Sequence, residues 1–186
     1  MLSTKIKEAT KTAHQELEKK VVLKLKAIRN NGDYADLLKH FYAYFSAVEK
    51  TILPYITSEL LPDHASRRNS SYLKNDIEEL GASVEGLPPV TAPEIRNALE
   101  ALGAMYVMEG SIMGGPIIVG ILAKYGINSG VSFFSGYGEN TGKMWSGFTG
   151  VMNAQPSDEA DEYLAINAAN ETFSRFSDVF GQVPVA

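Results

Sequence analysis

The chain contains no cysteine. That excludes disulfides, thiolate metal sites and cysteine nucleophiles, and makes a reducing cytoplasm the default location. Histidine is scarce, with His14, His40 and His64 the only three. There is no excess of positive charge: the net charge is -5, which argues against binding nucleic acid through charge alone. The N-terminus, Met-Leu-Ser-Thr-Lys-Ile-Lys-Glu, has no apolar core of a secretory signal. No repeat or low-complexity tract is present, and no strand-like alternation or βαβ rhythm appears. Missing too are a Glu-x-x-His pair for a carboxylate-bridged di-iron centre, a P-loop, a Gly-x-Ser-x-Gly elbow and the dehydrogenase glycine fingerprint. What remains is 186 residues with 45% hydrophobic and 21% charged content, a balance that suits one globular domain spanning 1–186.

Helical periodicity fills most of that length. Ser3 or Thr4 is expected to cap a helix to about Ile28, with Ile6, Ala9, Ala13, Leu17, Val21 and Leu25 on its apolar stripe. Asp33 is expected to cap a second helix, rich in aromatics, that Pro54 bends or ends. A shorter helix runs from about Ser71 to Leu80 and closes at Gly81. A long glycine-rich helix follows from about Pro93 to Tyr125. Ser129 to Asn140 reads as an ordered aromatic loop, Thr141 to Met152 as a short helix, and Ser157 as the cap of a last helix to about Phe180. The fold class is all-α.

The glycine-rich helix is the odd element. Gly103, Gly110, Gly114, Gly115 and Gly120 interrupt it, giving up roughly 4–5 kcal/mol of helix propensity together. Gly110 and Gly114 share one face. That face suits either close helix packing or the approach of a large flat ligand to the backbone. A membrane span over Ala101–Ala123 is a third reading, opposed by Glu109 near its middle and by Pro116. On the first helix, Lys7, His14 and Glu18 form one stripe. His14 could bind a metal with Glu18 as the acceptor that fixes its tautomer, and Lys7 could meet a ligand carboxylate. The plain alternative is a solvated charged stripe. His40, among aromatics, reads as a packing histidine, and His64 as an exposed loop residue.

These residues resemble one family. Ile6-Lys7-Glu8-Ala9-Thr10 with His14 and Glu18 is similar to the first helix of heme oxygenases. Tyr106-Val107-Met108-Glu109-Gly110-Ser111 with Gly114-Gly115 resembles their glycine-rich distal helix in its bacterial form. Arg67-Arg68 with Leu73, Asp76 and Leu80-Gly81, then Tyr137 to Trp145, then Thr172-Phe173 with Phe176, agree in order with the rest; the stretch Tyr137 to Trp145 resembles relatives associated with phytochromes.

The resemblance implies an all-α heme oxygenase-like domain that converts heme to biliverdin, CO and ferrous iron with O₂ and external electrons, heme being both cofactor and substrate. It implies His14 as the axial iron ligand supported by Glu18, and Gly110, Ser111 and Gly114, with Gly115 beside them, on the distal side. Lys7 and Tyr106 match positions that meet the heme propionates, and Phe173 matches a pocket wall. Ser146 stands where the bacterial pattern carries an arginine, with Lys143 nearby as the substitute cation. The implied partners are a ferredoxin or flavin reductase as electron donor and a biliverdin-accepting phytochrome; no nucleic acid or membrane is implied. A heme carrier without turnover, and a helical interaction domain that binds no heme, are the other readings.

Overall fold

The structure, a computed structural model, describes residues 1–181; residues 182–186, part of the expected single domain, lie outside the described residues. Eight α-helices build the described part: α1 Leu2–Ala9, α2 Lys11–Lys26, α3 Asn31–Ile52, α4 Ser70–Glu79, α5 Ala98–Gly110, α6 Gly115–Lys124, α7 Thr141–Ala154 and α8 Glu159–Val179. Three short 3-10 turns, His64–Ser66, Ser111–Met113 and Gly138–Asn140, join them. There is no strand among the described residues. The class is all-α, as the periodicity predicts.

Several boundaries differ from expectation, each for a local reason. Neither Ser3 nor Thr4 caps the first helix. It starts at Leu2, and the Ser3 N–H finds its acceptor on α7, at Asn153 Oδ1 2.8 Å away. The helix is also interrupted at Thr10, whose buried hydroxyl donates to the Ile6 carbonyl at 2.7 Å, a local bond that competes with regular helix. Asn30 rather than Asp33 caps α3: it accepts the Asp33 N–H at 2.9 Å, while the Asp33 carboxylate reaches back to the Arg29 N–H at 2.9 Å. Asp158 and Asp161 repeat this reciprocal arrangement at the start of α8, displacing Ser157.

The largest difference is the glycine-rich segment. It begins at Ala98, capped by Asn97, rather than at Pro93. It then breaks at Ser111–Met113, so that α6 leaves at 43° to what precedes it. Pro116 lies in the first turn of α6. It has no N–H to continue the ladder across the break, and that position is where a proline is tolerated. Among the described residues no single helix is long and apolar enough to cross a membrane.

An aromatic core centred on α3 holds the helices together. Tyr44 stacks on Phe176 of α8 with centroids 4.8 Å apart and donates its hydroxyl to the Thr172 carbonyl at 2.6 Å. Tyr34 ties the same helix to the 129–140 loop through the Gly130 carbonyl at 2.6 Å. Phe133 and Phe134 of that loop are buried. Asp76 of α4 holds the loop, accepting from the Ser132 and Phe133 N–H groups at 3.1 and 2.9 Å and from the Ser132 hydroxyl at 2.6 Å. Gly130 has φ +66° there, and its would-be Cβ lies 2.9 Å from the Asp76 carbonyl oxygen, so only glycine fits. The loop is ordered, as the sequence suggests.

Candidate active site

One cleft of about 510 Å³ opens between α1–α2 and α5–α6 and is closed by α7, α8 and Phe134 of the loop. That volume is in the range of small-molecule and cofactor sites. Its walls are mostly apolar: Leu17, Val21, Leu25, Phe41, Ile117, Ile118, Ile121 and Phe176 take part. Among the described residues His14 is the one histidine on them. Its ring stacks on Phe173 with centroids 5.1 Å apart and planes 19° from parallel, which restrains the plane of the imidazole. Lys7 and Glu18 line the same cleft from the same stripe. No hydrogen bond joins His14 to Glu18 among the described residues, so the carboxylate is close in position but not bonded to the ring. His40 is a packing histidine: it bonds the Asp36 carbonyl at 2.7 Å, stacks on Phe180, and is shifted down by burial. His64 is half-buried rather than exposed and lines a separate hollow of about 500 Å³ behind α5.

The other wall carries Tyr106, Gly110, Ser111 and Gly114. A methyl group at Gly114 would meet nothing within 4 Å, and one at Gly110 would meet only the Trp145 ring, 3.6 Å away. This wall is bare backbone beside open space. The remaining glycines of the segment behave otherwise. At Gly103 a Cβ would stand 2.2 Å from the Ala165 carbonyl oxygen of α8, and at Gly115 1.9 Å from that of Phe134. Gly103 and Gly115 are therefore packing glycines, while Gly110 and Gly114 leave the backbone bare on the cleft side.

The structure brings Lys7, His14, Glu18, Tyr106, Gly110, Ser111, Gly114 and Phe173 to one cleft. It does not bring Gly115 or Lys143 there. Gly115 is buried against the loop backbone. Lys143 is exposed on α7, two residues from Trp145 and hence on the other side of the helix from the residue that lines the cleft.

Sequence reasoning missed what stands behind the bare wall. Arg67 and Arg68 are buried, 3% and 6% exposed, and so is Glu109 at 3%. Arg67 pairs with Glu109 at 2.8 Å and with Asp63 at 2.8 and 2.9 Å, and donates to the Met144 carbonyl at 3.1 Å. Burial would lower its pKa, but the two carboxylates more than offset this and raise it. Arg68 lies over the Phe133 ring, 4.0 Å from its centroid. It donates to the Phe133 and Met108 carbonyls at 2.7 and 2.9 Å and to the Ser111 hydroxyl. Burial pulls it down to about 10. The Ser111 hydroxyl in turn donates to the Met108 carbonyl at 2.6 Å. Tyr137 bridges the pair: its hydroxyl donates to Glu109 at 3.0 Å and accepts the Arg68 N–H at 3.1 Å. The signal available in the sequence was Glu109 itself, a charge in an apolar helix that needs a buried cation.

Comparison with known proteins finds relatives along nearly the whole chain. Residues 1–182 match the heme oxygenase family profile. The chain is 26% identical over 180 residues to the heme oxygenase PigA of Pseudomonas aeruginosa, covering 95% of this chain and 90% of that one. It is 25% identical over 145 residues to a heme oxygenase of Xanthomonas campestris, covering 77% and 86%. Its fold superposes on the NO- and CO-bound heme oxygenase of Neisseria meningitidis with a TM-score of 0.83 at 20% identity, over 97% of this chain and 90% of the other. With the family profile matched from the first helix through the last, the chain belongs to the heme oxygenase family.

Proposed function

We propose that this cleft seats heme with His14 as the axial ligand of its iron, and that the chain opens the ring there to biliverdin. One observation carries the reading: an imidazole and a stretch of side-chain-free backbone face the same apolar cleft from different helices. The residues fit the group. The apolar walls would suit the macrocycle, Lys7 and the Tyr106 hydroxyl would hold its carboxylates, and Gly114 leaves open space on the opposite wall from His14. When bound, heme supplies both the oxygen-activating iron and the ring that is opened, with O₂ and electrons as co-reactants.

The protein's part is orientation and exclusion. Phe173 holds the His14 ring plane, and Glu18 can accept its free N–H through a water. Gly110 and Gly114 let the α5–α6 backbone approach the ring face where side chains would fill the space. No acid–base side chain projects from them, so the reaction is steered by shape. Ser111 has its hydroxyl turned into the Arg68–Met108 network and so fixes the break rather than reaching freely into the cleft. Electrons come from a partner, a ferredoxin or a flavin reductase. The cytoplasm is the setting, and a phytochrome is a candidate acceptor of the biliverdin.

A heme titration of the purified protein with absorption and EPR spectroscopy tests the reading. One heme binds, and His14→Ala loses the native axial ligation while His40→Ala and His64→Ala keep it. With ascorbate or a ferredoxin system and O₂, bound heme becomes biliverdin, mainly the α isomer. Heme that stays intact through repeated reduction would return the protein to a carrier role.

A further inference from the structure

Trp145 lines the cleft although no sequence expectation gave it a role there. Its ring edge stands 3.6 Å from the point where Gly110 would carry a Cβ, and its centroid lies 5.5 Å from that of Tyr106. It thus fills the corner between the bare backbone and the tyrosine. The indole also packs on Phe148, with centroids 5.9 Å apart, and Arg67 braces the backbone beside it. One guanidinium donates to the carbonyl of Met144, the residue before Trp145, and to the carboxylate of Glu109, the residue before Gly110. Both Arg67 and Glu109 are buried, with side chains 1% and 4% exposed, so the link is shielded from water and stiff. The same guanidinium lies against Gly147 of α7, where a Cβ would stand 3.7 Å from its Nη2.

We propose that Trp145 is a specificity-determining residue for the position of ring opening, and that Arg67 is the positioning residue that sets its distance from Gly110. The inference rests on the heme reading above. A macrocycle of near four-fold outline can turn in its own plane within an apolar slot. Its flat faces do not distinguish the orientations; bulk at the slot's edge does. An indole fixed at one corner removes the orientations that would place a ring substituent there, and steric discrimination of this kind is worth about tenfold or more.

The test uses the full chain, heme and chromatography of the biliverdin isomers. Trp145→Ala is expected to bind heme with the same axial spectrum, while the share of minor isomers rises about tenfold. Trp145→Phe should stay nearer the parent ratio. An unchanged isomer ratio in Trp145→Ala would overturn the specificity role. Because the chain has a single tryptophan, its fluorescence reads the positioning role without turnover. Arg67→Lys keeps a charge for Glu109 but lacks the fork that reaches both partners. Its Trp145 emission should shift to the red and its quenching by heme should weaken; emission and quenching identical to the parent would overturn the positioning role. If the parent protein itself neither quenches nor changes spectrum on heme titration, the heme reading fails, and this inference with it.

Discussion

The five glycines of the distal segment have different consequences on substitution, set by what a methyl group would touch. At Gly103 and Gly115 it would run into backbone at 2.2 and 1.9 Å. Backbone cannot step aside as a side-chain end can, so Gly103→Ala and Gly115→Ala should each lower apo-protein stability by at least ~1–3 kcal/mol, read from urea melts. At Gly114 the methyl meets nothing and φ is an ordinary -89°. Gly114→Ala should therefore leave apo stability unchanged or raise it by up to ~1 kcal/mol. On the proposed seating of heme it should still impair biliverdin formation, because the methyl enters the open space of the cleft. A stability loss at Gly114 with normal turnover per bound heme would make it a packing glycine. The sequence sets Gly110 and Gly114 on one face but does not show what any of the five would touch. What separates them is the partner, Ala165 for one and Phe134 for another, and these come into contact only through the fold.

At the scale of elements, the break between α5 and α6 has two supports, Pro116 on one side and the Arg67–Arg68–Glu109–Tyr137 cluster behind it. Glu109→Gln leaves the buried Arg67 with only Asp63 as its countercharge. The expected cost lies near the lower end of the ~3–5 kcal/mol typical of a broken buried pair, measured by denaturant melts. Tyr137 gives this cluster a pH signature. Burial, aided by the Glu109 charge, pushes its phenol from 10.0 up to about 12. The folded state favours the neutral form, so its contribution is complete below pH 10 and is lost as pH rises through about 12. Tyr34 and Tyr44 are shifted upward by burial as well, so alkaline loss of stability should shrink, not vanish, in Tyr137→Phe. Equal loss in the variant and the parent would contradict the assignment. Helix class and rough placement were legible because apolar spacing is a local property; the number was not, since the first and the glycine-rich of the six expected helices are each broken in two to make eight. Cap residues were less so, since Asn30 and Asp33 are both capable and only geometry chooses. Glu109 signalled that a buried cation was needed, but its identity was illegible because Arg67 lies 42 residues away and neither residue's neighbours name the other.

At the scale of the molecule, the cleft is bounded by α1–α2, α5–α6, α7 and α8 at once. A ligand seated there bridges elements from both ends of the chain. Heme should therefore raise the melting temperature with the logarithm of its free concentration above Kd, worth about 2.7 kcal/mol at roughly 100 times Kd. His14→Ala should show a smaller rise at the same heme concentration. A melting temperature that heme does not move would place its binding elsewhere.

The contact of Gly103 with Ala165 also has a mechanical consequence. It clamps α5 to α8 near its base, where Ala101, Leu102 and Ala104 are fully buried. Past Gly115, which still packs on the Phe134 backbone, that grip weakens: the rest of α6 buries only Leu122, and Ile117 is 69% exposed. The segment is built as a cantilever, fixed at one end and compliant toward the other. Amide hydrogen exchange should resolve it, with Leu102 to Val107 exchanging near the rate of global unfolding and Ile117 to Ala123 exchanging through far cheaper local openings. The compliant end lines the cleft with Ile117, Ile118 and Ile121, and the clamped end with Tyr106, Val107 and Gly110, so one stretch of that wall can yield while the other stays in register.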